Sequence, residues 1–114
     1  AFQTADVMEA MHKDSRIAIT QMRADGGASA NAFLMQFQAD ILGVNVVRPA
    51  VTETTAMGAA FLAGLAMGVW ESREQVASIW HAQKSFEPSF SEDMRAQKLA
   101  SWHRAVLRAM RWAD

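Results

Sequence analysis

The chain has 114 residues, of which 51% are hydrophobic and 20% charged, a composition that folds rather than staying disordered. Its net charge of -1 and pI of about 6.3 exclude a dominant nucleic-acid surface, which needs clustered Lys and Arg. The absence of cysteine excludes disulfides, Cys-ligated zinc and thiol catalysis, and fits a reducing compartment.

Residues 1–14 are amphipathic and acidic rather than basic and then apolar, so they read as a helix and not as a signal peptide. Phe2, Val7, Ala10 and Met11 are its expected buried side, and Asp14-Ser15 its turn-prone end. It opens without a capping residue or lead-in loop, which predicts a segment of a longer chain. Residues 17–25 predict a strand, broken by Gly26-Gly27. Residues 28–42 predict a second helix with Ala30, Leu34, Phe37 and Ile41 on one face, stopped by Gly43. The β-branched stretch 44–48, closed by Pro49, predicts a second strand.

Thr52 is placed to cap the next helix, with Glu53 in its positive first turn. Gly58, Gly64 and Gly68 each cost about 1 kcal/mol in a helix interior. Their presence points to close approach, with tight packing on the sheet as the expected reason. The apolar run 56–70 is shorter than the roughly 20 residues that span a bilayer, so a buried helix is expected rather than a membrane segment. Ser72 and Gln75 form a capping box for a short helix running to Trp80. Residues 84–90 read as extended. Ser91 caps a last helix with Leu99, Trp102, Val106 and Met110 as its apolar stripe and Arg95, Arg104, Arg108 and Arg111 toward solvent.

The implied fold class is α/β: two parallel strands with helices, a right-handed crossover, and C-terminal helices. Two parallel strands are too few for an independent sheet, so one edge is expected to lack its partner.

The stretch 25–31, Asp-Gly-Gly-Ala-Ser-Ala-Asn, is the candidate site. It leaves a strand and opens a helix, where α/β sheets bind ligands. Gly26 and Gly27 let a ligand approach the backbone, amides at the helix start can donate, and Asn31 offers a donor and an acceptor to a heterocycle. Spacing alone favours a plain strand-to-helix turn; the stretch is neither a Walker A loop nor a dinucleotide fingerprint.

Several segments carry a resemblance that covers essentially the whole chain. They are Ala1-Phe2-Gln3-Thr4, Asp25-Gly26-Gly27-Ala28, the run FLMQFQADILG at 33–43, TETTAMGAA at 52–60, Leu62-Ala63-Gly64-Leu65-Ala66, Phe86-Glu87-Pro88 and Trp102-His103-Arg104-Ala105-Val106. The chain resembles the glycerol kinase branch of the FGGY carbohydrate kinases, to which FLMQFQADILG is the more specific pointer. The resemblance implies two actin-like (ribonuclease H-like) domains with the active site between them, and phosphorylation of glycerol to glycerol 3-phosphate by ATP and Mg2+. It implies that residues 1–114 are the C-terminal, nucleotide-side part of the second domain. Gly27 and Asn31 match positions that contact the adenine nucleotide by a backbone amide and a side-chain amide, and Gly26 matches the adjoining turn glycine. Ala32 stands where the family often has a second Asn.

The family's phosphate loop, glycerol pocket and catalytic aspartate correspond to upstream parts. No catalytic or metal-binding residue is therefore expected here, and the segment alone is expected to be inactive. The complete enzyme is expected to be cytoplasmic and a homo-oligomer, binding neither nucleic acid nor membrane. Two rival expectations are another FGGY kinase acting on a pentulose, and a non-catalytic module that binds or self-associates. His12, His81 and His103 read as surface residues, Asp25 as structural, and the tryptophans and methionines as core or subunit contacts.

Overall fold

The computed structural model describes residues 1–51, 53–79, 81–110 and 112. The expected cap at Thr52, the helix end at Trp80 and the solvent-facing Arg111 lie outside the described residues.

Helix α1 (Phe2–Ser15) stops where Arg16 turns left-handed, at φ 57°, and returns its N–H to the His12 carbonyl. The Ser15 hydroxyl donates to the Met11 carbonyl at 2.8 Å and accepts from the Ile17 N–H at 3.2 Å, which completes the stop. Of the expected buried side only Phe2 is covered; Val7, Ala10 and Met11 are exposed. The packed face is turned instead toward Phe2 and Asp6, because Phe2 stacks on Trp102 with ring centroids 5.5 Å apart and meets Phe37 edge-on at 5.7 Å.

Strand β1 (Gln21–Arg23) is shorter than the expected 17–25, with Ile17 left exposed. It pairs in parallel with β2 (Asn45–Pro49), in register Met22 to Val46. Between them run a 3-10 turn (Gly27–Ala30) and helix α2 (Ala32–Leu42). Beyond the two parallel strands expected, the sheet has a third. Strand β3 (Ala82–Phe86) pairs antiparallel with β2, setting Phe86 opposite Val46, and the order is β1-β2-β3. Strand β2 is therefore central.

Met22, Val46 and Phe86 share one face of the sheet, and α2 covers it with Met35 and Ala39, forming the buried core. The buried face of α2 is thus Met35, Ala39 and Ile41; Leu34 and Phe37 are half-buried, and Ala30 is outside the helix and exposed. Apolar residues occupy so much of α2 that two stripes compete, and the sheet takes one while α1 and α5 (Glu92–Met110) take the other.

Two polar anchors fix what packs on α2. Asp40 is buried, and its Oδ1 accepts from the Ser89 N–H at 2.6 Å, the Ser89 hydroxyl at 2.9 Å and Gln36 Nε2 at 3.0 Å. Burial alone would raise its pKa, but hydrogen bonds from the Ser89 N–H, Gln36, the Ser89 hydroxyl and the Phe90 N–H together hold it below the ordinary value. At the C-terminal end of α2, Gly43 is left-handed at φ 69°, and a Cβ there would overlap the Arg95 guanidinium of α5. Arg95 reaches the Leu42 carbonyl at 3.4 Å, a cation set at a negative helix end rather than in solvent as its sequence position suggests.

Helix α3 (Thr54–Ala66), with Glu53 in its N-cap position, lines a hollow with Arg23 of β1 and Pro49 of β2 through Thr54, Met57 and Phe61. Its glycines do not press the helix on the sheet as expected. A Cβ at Gly64 would overlap the Trp70 ring, Gly58 faces open space, and Gly68, at φ 74°, makes a left-handed turn past the helix end. Helix α4 (Arg73–Ile79) begins with Ser72 accepting from the Gln75 N–H, while Gln75 Oε1 accepts from the Glu71 N–H. Ser91 likewise caps α5, accepting from the Met94 N–H at 3.3 Å.

Candidate functional site

The turn after β1 is built from backbone constraints. Gly26 adopts φ 78° and ψ 174°, a region that only glycine occupies without strain. Its carbonyl accepts from the Ser29 N–H at 3.0 Å and the Ser29 hydroxyl at 2.7 Å. Ser29 is the first residue whose N–H is used inside the turn, so the N–H groups of Gly27 and Ala28 come before any such bond. A Cβ on Gly27 would meet nothing within 4 Å, so its bare backbone faces open space that a ligand can enter.

The expected continuous helix over 28–42 is divided at Asn31, which is extended (φ -76°, ψ 102°) and caps α2. Its Oδ1 accepts from the Leu34 N–H at 3.1 Å, the group that a continuous helix would give to the Ala30 carbonyl. Asn31 is exposed, and among the described residues its Nδ2 donors take no partner at the positive end of an 11-residue helix. Gly26, Gly27 and Asn31 therefore belong to one exposed ledge at the carboxyl end of β1.

Sequence pattern misses the residue that holds this ledge. Arg48 lies two residues beyond Val46 on β2, on the same face, and its Nη1 donates to the Ser29 carbonyl at 3.0 Å and the Ala30 carbonyl at 3.1 Å. Its guanidinium carbon sits 5.8 Å from the Phe86 ring centroid. The one available signal is a lone charged residue in a strand that carries two valines and a proline.

Beside the ledge a cleft of about 260 Å³ opens between the sheet and α3, lined by Asp25, Arg23, Pro49, Thr54, Met57 and Phe61 among others. Asp25 joins the two, closing one wall of the cleft before the chain enters Gly26. The arrangement presents backbone and side-chain N–H donors beside an apolar-walled hollow, which suits a heterocycle carrying acceptor nitrogens. Among the described residues no group of three His, Cys, Asp or Glu side chains is placed to hold a metal, and no helix is long and apolar enough to cross a membrane.

A family model described as the FGGY family of carbohydrate kinases, C-terminal domain, matches residues 1–67. The glycerol kinase of Dechloromonas aromatica is 56% identical over 114 residues, 100% of this chain and 23% of that protein. That of Herminiimonas arsenicoxydans is 57% identical over 112 residues, 98% of this chain and 22% of its own length. The chain thus spans less than a quarter of these curated relatives. The crystal structure of Plasmodium falciparum glycerol kinase with ADP superposes with a TM-score of 0.82 and 31% identity, over 94% of this chain and 22% of that one. A ligand-bound xylulose kinase from Lactobacillus acidophilus shares the fold, with a TM-score of 0.76 and 21% identity over 99% of this chain and 23% of its own.

Proposed function

The chain belongs to the FGGY family of carbohydrate kinases, and from that premise we propose that it is part of the second, actin-like domain of a glycerol kinase and forms one wall of its adenine-nucleotide pocket. The observation that carries this reading is the ledge itself: Gly26 forced into a glycine-only conformation, Gly27 open to approach, and Asn31 presenting amide donors from the start of α2. The Gly27 N–H and Asn31 Nδ2 are the donors that would meet adenine ring nitrogens, while Gly26 shapes the turn. ATP supplies the phosphoryl group that passes to the 3-hydroxyl of glycerol. The relatives' names support glycerol as acceptor, and the ADP in the Plasmodium falciparum structure supports the nucleotide.

Among the described residues Asp25 is the one carboxylate that lines the cleft, and we read it as structural, shaping the turn into Gly26. As the family resemblance implies, the metal, the phosphate-binding groups and the catalytic base would belong to parts of the kinase beyond residues 1–114. The complete enzyme would be a cytoplasmic homo-oligomer, and these 114 residues alone would be inactive.

Calorimetric titration of the complete kinase with ADP tests the ledge. Losing one neutral hydrogen bond of about 1 kcal/mol predicts roughly fivefold weaker binding for Asn31→Ala. Asn31→Asp keeps a capping oxygen while removing the Nδ2 donors, so it should weaken ADP without lowering the melting temperature. Unchanged ADP affinity in Asn31→Ala removes the assignment. Comparing glycerol with xylulose and ribulose as acceptors separates this reading from a pentulose kinase.

A further inference from the structure

We propose that Arg48 is a positioning residue for nucleotide binding, holding Asn31 in its capping conformation without itself touching the nucleotide; the inference rests on the nucleotide reading above. Local sequence favours a helix running unbroken through 28–42. In such a helix the Ser29 and Ala30 carbonyls would accept from the Phe33 and Leu34 N–H groups. Those two carbonyls are the ones that Arg48 Nη1 occupies, at 3.0 and 3.1 Å. The Leu34 N–H then bonds to Asn31 Oδ1 instead, at 3.1 Å, and Asn31 stays extended and exposed. Arg48 thereby removes the acceptor that competes with the Asn31 cap.

The rest of its surroundings fit this role. Arg48 lies on the central strand, opposite Lys84 of β3, and its neighbour Val47 pairs with Arg23 of β1. Phe86 covers one side of the guanidinium, and Nε is buried with no hydrogen-bond partner. No ion pair to Arg48 is found among the described residues, so its charge is directed at the two carbonyls at the negative end of the 3-10 turn. Ser29, 1% exposed, closes the same loop from within through its hydroxyl bond to Gly26.

The experiment uses the complete kinase with Arg48→Gln, Arg48→Lys, Asn31→Ala and the Arg48→Gln/Asn31→Ala double variant. Removing a charged donor from two carbonyls should raise the ADP Kd and the ATP KM roughly five- to twentyfold, with kcat and the glycerol KM within about twofold of wild type. Arg48→Lys, which keeps a charged donor, should recover part of the loss. The double variant should bind ADP about as weakly as the weaker single variant, because both changes act on one group. An Arg48→Gln protein with a lowered melting temperature but wild-type ADP affinity overturns the proposal; if that variant does not fold, Arg48→Lys decides by the same criterion. Weakened ADP binding in Asn31→Ala together with wild-type binding in Arg48→Gln strikes down Arg48 alone, whereas unchanged binding in Asn31→Ala removes the ledge as well.

Discussion

Replacing Gly43 by Ala perturbs two contributions that the structure allows to be separated. The left-handed backbone at φ 69° costs an L-residue about 1 kcal/mol. The new Cβ would also overlap the Arg95 guanidinium and push it from the Leu42 carbonyl, losing a cation–helix-end interaction of about 0.3–1 kcal/mol and a long 3.4 Å hydrogen bond. Together these predict a loss of about 2 kcal/mol. In an Arg95→Ala background nothing is displaced, and the same substitution should cost only the backbone part, about 1 kcal/mol. Urea unfolding followed by far-UV circular dichroism across the four proteins of the cycle measures both numbers. Equal costs in the two backgrounds would refute the idea that Gly43 is there to make room for Arg95.

Asp40→Asn should destabilise by about 2 kcal/mol at neutral pH, since the hydrogen bonds to a buried carboxylate become weaker neutral ones, as chemical unfolding would report. The folded pKa of Asp40 lies below its unfolded value of 3.8, so its contribution is fully present above that pH and is lost as pH falls through the folded value. The difference between wild type and Asp40→Asn should therefore hold down to about pH 5 and shrink below pH 3.8. Gly64→Ala and Gly58→Ala should act with opposite signs in a thermal melt. The first displaces the Trp70 ring from its edge-on contact with Phe61 and costs about 1–3 kcal/mol, whereas the second meets open space and gains roughly 0.5–1 kcal/mol of helix propensity.

The order of elements was legible because its punctuation is local. Gly26 and Gly27 end β1, Gly43 stops α2, and Ser72 and Ser91 start α4 and α5, each acting on backbone within a few residues. Gly26, Gly27 and Asn31 could be named as candidates because they stand within six positions of one another, but the break that makes Asn31 a cap could not be read from a continuous helical pattern. What escaped was set by partners far along the chain. Arg48 meets carbonyls 18 and 19 residues away, Asp40 meets Ser89 49 residues away, and Trp102 donates to Asp6 across 96 residues. Composition marks such side chains only as charged groups in apolar surroundings. The third strand escaped for a similar reason: residues 82–85 are exposed and weakly patterned, and they become a strand because the edge of β2 needs hydrogen-bond partners.

Helix α2 is a rod of 11 residues, about 16 Å from end to end, and it is gripped at both tips by residues from elsewhere in the chain. Arg48 steadies the approach to Asn31 at one tip and Arg95 closes the other at Leu42. A stiff bar held this way cannot be tilted at one tip alone. A molecule that drew Asn31 toward itself would strain the grip of α5, and a force on α5 would travel back along the bar to the turn at Asn31.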